Sequence, residues 1–324
     1  MTRTPGEDTA PSVPARVGVI GGGRMGAGIA HAFAAHGIPT ALVDATAALS
    51  EAGLTRSLEL LRRLEAEGNV EPGTSGTAER HLSMAASVEA AVRHADLIAE
   101  AVVEREDVKV RVYAEVEAAA RDDAVIATNT SSIPIGQLMA GLRRPERFLG
   151  VHWFVPPLLV PCVEVIPSET TADRVVEQVV EALTRLGKTP VVVGDGPGFV
   201  ANRIQFAMFR EATRIVEEGL AAPAQVDEVV RSSFGFRLPF FGPFTIADMA
   251  GLDVYADIFD TLEGGLGDDF AAPRILREHV DRGEFGVKTG RGFLELSHAR
   301  ADELIGRRNR AFVALARLRQ ELEA

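Results

Sequence analysis

Three glycines at Gly21, Gly23 and Gly26 constrain the fold of this chain more than any other feature. They follow a short apolar run at residues 16–20 and precede an alanine-rich helical pattern. In this arrangement Gly21 permits a tight turn, Gly23 lets the backbone approach a pyrophosphate, and Gly26 lets helix and strand pack closely. The unpaired N–H groups at the start of the helix then face the phosphates. The loop from Gly21 through Arg24 and Met25 to Gly26 is therefore predicted to bind a dinucleotide.

An acidic residue at the end of the next apolar run indicates which dinucleotide binds. Asp44 follows the predicted strand 40–43. A carboxylate in this position accepts hydrogen bonds from the adenosine ribose hydroxyls and repels a 2′-phosphate. The first cation after Asp44 is Arg56. The sequence therefore favours NAD over NADP as the cofactor.

Strand and helix patterns continue to alternate along the chain. Further strands are predicted at 96–101, 124–128, 148–151, 162–166 and 191–193, with helices at 49–67, 108–121 and 172–186. Such alternation predicts a doubly wound Rossmann-type α/β sheet. After the Gly/Pro stretch Gly194–Gly198 the pattern is helical, which predicts a smaller all-α domain. The expected organisation is a disordered lead-in at 1–14, a dinucleotide-binding domain at 15–195, a helical substrate and dimerisation domain at 196–296, and a C-terminal helix at 297–324.

The composition excludes several classes of partner. Nucleic acids and anionic membranes attract basic surfaces, whereas this chain has a formal net charge of −12. The single cysteine, Cys162, excludes an internal disulfide and a cysteine metal cluster. No apolar run approaches the ~20 residues of a membrane span, and residues 1–14 lack the apolar segment of a signal peptide. We expect a soluble cytoplasmic protein without metal, nucleic-acid or membrane partners.

One histidine and one glutamate are candidates for proton chemistry. His152 alone among the seven histidines directly follows a predicted core strand of the sheet, and such strand ends face the ligand crevice. An imidazole titrates near neutrality, which suits proton exchange with a hydroxyl group. Glu164 lies in an apolar strand, where an unpaired carboxylate is costly to bury. It either orients the His152 imidazole or lies on the wet face of an edge strand, and the pattern leaves both open.

Two further polar residues lie at junctions of the predicted elements. Ser131 belongs to the segment Thr128–Ser132, which follows a strand and whose hydroxyls and amides are expected near the crevice. Asn202 opens the first helix after the Gly/Pro stretch, where asparagine also serves as a helix cap. Spacing alone does not decide between these roles.

Taken together, these motifs resemble the 3-hydroxyacyl-CoA dehydrogenases, including their lambda-crystallin-like hydroxy-acid relatives. The resemblance extends over about residues 15–296. The matching segments, in chain order, are Gly21–Gly26, Glu100–Glu104, Thr128–Ser132, Gly150–Phe154, Val163–Val165, Pro197–Arg203, Gly242–Phe244, Ala250–Asp253 and Lys288–Phe293.

The resemblance implies roles for individual residues. His152 would be the catalytic acid–base with Glu164 as its partner, exchanging the hydroxyl proton while C3 of the substrate exchanges hydride with NAD. Ser131 and Asn202 would hold the developing oxyanion. The resemblance also implies fatty-acid-type substrates and a homodimer formed through the helical domain.

The resemblance further places Glu104 and Lys109 at the nicotinamide half of the cofactor. One departure from the family pattern lies beside the catalytic histidine. The family has His-x-x-Asn-Pro, whereas Val155 here precedes Pro156. The loss of an amide hydrogen bond at this position costs on the order of 1 kcal/mol.

A second departure concerns the segment 46–80, with which the family helps to hold CoA. It contains no lysine. Its arginines either bind CoA phosphates or pair with neighbouring acids along a solvated face. The arginines are Arg56, Arg62, Arg63 and Arg80, and the acids are Glu59, Glu65 and Glu67.

Three hypotheses follow from the sequence. The first is an NAD-dependent dehydrogenase of 3-hydroxyacyl thioesters carried by CoA or by a carrier protein. The second has the same chemistry on a free 3-hydroxy acid, such as a sugar acid or a carnitine-like compound. The third is a non-catalytic dinucleotide-binding protein, which Val155 favours and the set of Ser131, His152, Glu164 and Asn202 opposes.

Overall fold

The structure is a computed structural model that describes residues 13–295 and 298–323. It comprises two compact units that divide between Ala207 and Met208. The first unit contains a single eight-stranded sheet, and the second is helical. Most of the predicted lead-in, 1–14, lies outside the described residues.

The sheet is mostly parallel, as an alternating pattern of strands and helices requires. Its order is β3-β2-β1-β4-β5-β6-β7-β8, and only the β6–β7 pair is antiparallel. The strands are β1 Val17–Ile20, β2 Thr40–Val43, β3 Leu82–Met84, β4 Leu97–Glu100, β5 Val125–Thr128, β6 Phe148–Trp153, β7 Cys162–Pro167 and β8 Thr189–Val192. The predicted doubly wound Rossmann-type sheet is confirmed.

Helices cover both faces of this sheet. Those that precede the last strand are α1 Arg24–Ala34, α2 Ala47–Ala66, α3 Thr74–His81, α4 Val88–Val92, α5 Glu106–Ala119, α6 Ile135–Leu138 and α7 Asp173–Arg185. One face buries a cluster that includes Phe33 and Trp153, and the other a cluster that includes Tyr113 and Phe148. Burial on both faces explains why the central strands β1, β4 and β5 are buried at every position.

Besides α6, the sequence patterns missed three short elements of the sheet unit, β3, α3 and α4. They lie between the predicted helix 49–67 and the predicted strand 96–101. β3 has three residues, of which only Leu82 is buried, so it carries almost no apolar pattern. α4 has five residues and begins at the Ser87 cap, whose side chain accepts a hydrogen bond from the Ala90 N–H. Elements this short are recognised by their tertiary contacts rather than by periodicity.

The helical part contains six α-helices among the described residues. They are α8 Ala201–Glu217, α9 Pro223–Ser232, α10 Pro243–Ala250, α11 Leu252–Leu266, α12 Arg274–Asp281 and α13 His298–Glu323. The division after Ala207 falls inside α8, later than the predicted boundary at 195. The reason is that residues 200–202, at the start of α8, bond to the sheet unit.

The C-terminal helix α13 packs within the helical unit. Leu304 is buried in a cluster with Phe241 and Ile246. Farther along the helix, the rings of Phe312 and Phe236 meet edge to face with their centroids 5.5 Å apart. Among the described helices, none is long and apolar enough to cross a membrane.

Buried His31 in α1 predicts an acid sensitivity of the fold. Its side chain is fully buried, and neither ring nitrogen has a hydrogen-bond partner among the described residues. Burial lowers the pKa of His31 from 6.5 to about 4, and an interaction with the Ser57 backbone only partly opposes this. The folded state therefore resists a proton that the unfolded state accepts. The stability that the folded state gains by keeping His31 neutral is complete above pH 6.5 and is lost as the pH falls towards 4.

We expect this effect to amount to about 3 kcal/mol, since each pKa unit corresponds to about 1.4 kcal/mol. The measurement is urea unfolding of the wild type and of His31→Leu between about pH 7 and about pH 4. Carboxylates titrate in both proteins, so the difference between the two curves isolates His31. The wild type should lose about 3 kcal/mol more than the variant over this range. Parallel curves would show that His31 does not control the acid response.

Candidate active site

The strand order of the sheet reverses between β1 and β4. In open α/β sheets, ligands bind beyond the carboxyl ends of the strands at such a switch point. The glycine loop follows β1 at this edge, and residues 101–104 follow β4. The predicted phosphate loop therefore lies at the place where the topology provides a crevice.

The glycines of the loop meet the steric demands of a dinucleotide site. Gly21 has φ +102°, and a Cβ there would lie 2.5 Å from the Ala101 carbonyl oxygen. A Cβ on Gly26 would lie within bond distance of the Gly21 carbonyl oxygen, so only glycine lets α1 pack against the loop. A Cβ on Gly23 would meet nothing within 4 Å. Gly23 is also the N-cap of α1 and has no capping side chain, so open space faces the positive end of this helix.

Asp44 lies beside this loop, as its position after β2 predicted. Its Oδ2 accepts a hydrogen bond of 2.6 Å from the Gly22 N–H, and its Oδ1 accepts one from the Ala45 N–H. The Asp44 N–H in turn donates to Ser50 Oγ at 2.7 Å. The carboxylate is only half-buried, and each oxygen retains accepting capacity for ribose hydroxyls. These residues fit the adenosine end of NAD.

His152 and Glu164 form a buried pair across the antiparallel strands β6 and β7. They occupy directly opposite positions in the register, and their exposed fractions are 4% and 3%. His152 Nδ1 lies 2.8 Å from Glu164 Oε2. β8 covers the outer side of β7, so Glu164 does not lie on the wet face of an edge strand. Of the two interpretations from the sequence, the structure supports the orienting one.

The second oxygen of Glu164 holds the start of α8. Oε1 accepts hydrogen bonds from the Val200 and Ala201 N–H groups at 3.1 and 2.9 Å. An ionised carboxylate is favourable at a helix N-terminus. Glu164 therefore connects the imidazole of His152 to the helix turn that carries Asn202.

Asn202 and Ser131 are brought together by this helix turn. Asn202 Nδ2 donates a hydrogen bond of 2.9 Å to the Ser131 carbonyl oxygen. Asn202 therefore binds a neighbouring loop rather than merely capping its own helix. One N–H of its amide remains for another acceptor.

Glu104 organises the loop that carries Ser131. Its Oε1 accepts hydrogen bonds from Thr130 Oγ1, from the Ser131 N–H and from the Ser132 N–H at 2.6, 2.8 and 3.0 Å. Burial acts to raise the pKa of Glu104, but these hydrogen bonds and the nearby Lys109 charge outweigh it, so its pKa lies below the ordinary value. Its side chain is 37% exposed, which leaves it within reach of a ligand.

Lys109 has surroundings that the sequence did not suggest. Its side chain is fully buried, with Nζ 2.8 Å from Glu100 Oε1 and 3.4 Å from Glu104 Oε2. Glu100 Oε2 also accepts hydrogen bonds from the hydroxyls of Tyr113 and Thr128, both at 2.7 Å. Lys109 therefore stabilises the Ser131 loop through Glu104. Its ammonium group has no exposed surface that could contact a cofactor.

Phe199 is a site residue that sequence reasoning missed. Its backbone has φ +49°, which is unusual for a residue with a side chain. The ring is buried, and its centroid lies 5.7 Å from that of the His152 ring. Phe154 packs against the same imidazole at 4.7 Å. A positive φ in a bulky residue costs energy and is retained where function requires it, but a phenylalanine after a glycine gives no sequence signal of this conformation.

The helices α2 and α3 form an arm whose arginines make ion pairs or hydrogen bonds with other groups of the chain. Arg63 pairs with Glu67 at 2.8 Å, which agrees with the second of the two alternatives from the sequence. Arg62 instead pairs with Glu79 of α3. Glu65 was a possible arginine partner in the second of the two alternatives, but it accepts hydrogen bonds from the Gly73 and Ser75 N–H groups and caps α3. Arg80 donates to Thr77 Oγ1 at 3.1 Å, and Arg56 donates to the Gly22 carbonyl oxygen at 2.6 Å.

A dinucleotide loop and a buried imidazole–carboxylate pair thus lie in one unit. The first binds a hydride carrier, and the second can exchange a proton with a hydroxyl or carbonyl oxygen. Hydride and proton transfer together interconvert an alcohol and a ketone. The fold and site therefore define the class of nicotinamide-dependent alcohol dehydrogenases.

Comparison with known proteins identifies the family. The model of the 3-hydroxyacyl-CoA dehydrogenase NAD binding domain matches residues 16–196, and that of the C-terminal domain of the same enzymes matches residues 198–296. The chain belongs to the 3-hydroxyacyl-CoA dehydrogenase family. The predicted resemblance, the NAD cofactor and the oxidoreductase activity are thereby confirmed.

Relatives with different substrates are similar to this chain. A 5-formyl-3-hydroxy-2-methylpyridine 4-carboxylate 5-dehydrogenase of Mesorhizobium japonicum is 34% identical over 93% of this chain and 97% of its own. A probable 3-hydroxybutyryl-CoA dehydrogenase of Bacillus subtilis is 35% identical over 86% of this chain and 96% of its own. The crystal structure of a 3-hydroxyacyl-CoA dehydrogenase of Archaeoglobus fulgidus has a TM-score of 0.77 and 31% identity, covering 93% of this chain and 99% of that one.

Proposed function

We propose that this enzyme transfers hydride between NAD and C3 of a 3-hydroxyacyl thioester carried by CoA or a carrier protein, with His152 as general acid and base. The observation that carries the proposal is the buried pair of His152 and Glu164. With Glu164 ionised, Nδ1 carries a proton and donates to Oε2, which leaves Nε2 as the acceptor. Nε2 makes no hydrogen bond within the part of the chain that the structure describes, so it is free to take the substrate hydroxyl proton.

The other polar groups support charge that develops at the substrate oxygen. Glu164 holds the imidazole orientation and stabilises the imidazolium that forms when His152 takes the proton. The hydroxyl of Ser131 and the remaining amide N–H of Asn202 are the proposed donors to the oxyanion at C3. Because the Asn202 amide binds the Ser131 backbone, the two donors are held to each other before substrate arrives.

The cofactor-binding residues are proposed from the same geometry. Gly21, Gly23 and Gly26 provide close approach to the pyrophosphate, and the backbone N–H groups of Arg24 and Met25 at the start of α1 face it. Asp44 would accept from the ribose hydroxyls, and Glu104 would contact the nicotinamide half. When bound, NAD accepts or returns the hydride. Lys109 is proposed to act at the nicotinamide end only through Glu104, because its own side chain is buried.

A free carboxylic acid is the second candidate substrate. Three observations favour it: Val155 replaces the family's asparagine amide, the arm arginines are engaged within the chain, and the pyridine carboxylate dehydrogenase matches over nearly its whole length. CoA carries phosphates that a cation usually binds. Arginines that already bind other groups of the chain have to release them before they can bind CoA phosphates.

A substrate panel at fixed NADH separates the two candidates. The first proposal expects acetoacetyl-CoA to be reduced with loss of NADH absorbance, and its free acid to react at least ten-fold more slowly at equal concentration. The reverse order would support the free-acid candidate. If neither class reacts while NADH still binds in a separate titration, both substrate assignments are wrong. The cytoplasmic location expected from composition stays a prediction.

A homodimer formed through the helical part is also proposed. α8 has no buried residue along its length, although it carries the apolar side chains Phe206 and Phe209, which are 63% and 62% exposed. Leu220 and Val229 in the same part of the chain are exposed by 77% and 63%. Phe206 and Phe209 are three residues apart and share one face of α8, and an exposed apolar helix face indicates a protein interface. The mass of the protein in solution would test it against the 34.6 kDa of one chain.

A further inference from the structure

Arg56 lies on the phosphate loop in a way that its place in the sequence does not suggest. Its Nη1 donates a hydrogen bond of 2.6 Å to the carbonyl oxygen of Gly22, although the two residues are 34 positions apart. Gly53, one turn earlier in α2, makes this approach possible, since a Cβ there would lie 2.7 Å from the Gly22 Cα. Residues three apart in a helix share a face, so the close approach at Gly53 places Arg56 over the loop.

The hydrogen bonds at Gly22 fix the direction of the next peptide group. The Gly22 N–H is held by Asp44 Oδ2, and its carbonyl is held by Arg56. The carbonyl of Gly22 and the N–H of Gly23 belong to the same planar trans peptide and point in opposite directions. Arg56 therefore aims the Gly23 N–H away from itself. Gly23 is the N-cap residue of α1, and a Cβ built there would meet nothing within 4 Å.

We propose that Arg56 is a positioning residue for the cofactor. It holds the Gly22–Gly23 peptide in the orientation that presents the Gly23 N–H to the NAD pyrophosphate, and it adds positive charge beside a helix N-terminus that already favours anions. Arg56 itself is exposed and pairs with no carboxylate among the described residues. The inference requires that the chain binds NAD, and it is independent of which substrate the enzyme uses.

The decisive measurement is the equilibrium dissociation constant of NADH, by titration of its fluorescence on the purified full chain without substrate. Arg56→Ala should raise this constant about ten-fold, and Arg56→Lys should restore part of the affinity because it returns the charge without the guanidinium geometry. Arg63→Ala is the matched control, because Arg63 lies in the same helix and, among the described residues, pairs only with Glu67. Its dissociation constant should equal that of the wild type. The thermal unfolding midpoint without NADH should be unchanged in all three variants.

With a substrate from the panel, the KM for NADH should rise in Arg56→Ala while kcat stays within about two-fold. This split distinguishes a positioning role in binding from general damage to the site. An unchanged dissociation constant in Arg56→Ala would overturn the proposal, as would an equal rise in Arg63→Ala. A rise for NADPH but not for NADH would also overturn it, because Arg56 would then recognise a 2′-phosphate. If no substrate reacts, the binding titration still decides the matter.

Discussion

Replacing His152 with glutamine should leave NADH binding within about two-fold of the wild type and lower kcat by 10²- to 10⁴-fold, the range of positioned acid–base catalysis. A glutamine amide can still donate to Glu164 Oε2, so the buried carboxylate keeps a partner. The amide does not take up a proton near neutrality, and the hydroxyl oxygen of the substrate would lose its base. The measurement combines an NADH titration with the steady-state rate on whichever substrate class the panel identifies.

Two companion variants make this result specific. His94→Ala removes an exposed histidine that lies before β4 and should leave kcat unchanged. Glu164→Gln should reduce kcat less than His152→Gln does, because the imidazole remains but loses the carboxylate that orients it. If His152→Gln retains more than a tenth of the wild-type kcat, His152 is not the acid–base.

The parts of the fold that followed from the sequence are those with local physical causes. Within six residues, the Gly21–Gly26 loop specifies a turn, a close approach of the backbone to a pyrophosphate, and the start of a helix. Buried parallel strands give continuous apolar runs. The antiparallel direction of β7 did not follow from such patterns. A strand's direction depends on its neighbour in space, and Cys162–Pro167 has the same apolar pattern in either direction.

The sequence suggested most residues of the candidate site, but the only contact it suggested between them was the pairing of Glu164 with His152. His152 and Glu164 were both identified, yet only the antiparallel register places them opposite each other. The bond between Asn202 and Ser131 joins residues 71 positions apart, and sequence spacing carries no information about it. Arg56 was noted as the first cation after Asp44 and as one of the arginines of segment 46–80. Its contact with Gly22 was not predicted, because this contact depends on how closely α2 approaches the loop.

Glu100 could have been found from the sequence. It ends a strand whose four residues are all buried, and a carboxylate in such a place requires a cation or several donors. Lys109 is the first lysine after it. The rule that a buried charge seeks a partner would have paired the two and suggested a structural role for Lys109 in place of a cofactor contact.

We expect the second large effect, a loss of stability, at the buried pair of Glu100 and Lys109. Lys109→Met should destabilise the protein by about 3–5 kcal/mol, since removal of one partner leaves an uncompensated buried charge. Glu100 would keep the hydroxyls of Tyr113 and Thr128 and the N–H of Val102 as donors, but no cation would face it closely. Urea unfolding at neutral pH measures the loss.

The double variant Glu100→Gln/Lys109→Met should recover most of that stability. The glutamine carbonyl oxygen can accept from the same two hydroxyls, and neither charge of the pair remains to be compensated. The hydrogen bond from the Val102 N–H is lost, because the amide NH₂ that replaces Oε1 cannot accept it. NADH affinity of the folded fraction decides what Lys109 does. A structural role predicts an affinity in the double variant within about three-fold of the wild type, because Glu104 still holds the Ser131 loop. If the Lys109→Met variant is stable but binds NADH ten-fold more weakly, Lys109 contacts the cofactor directly and its burial in the absence of NAD is not its functional state.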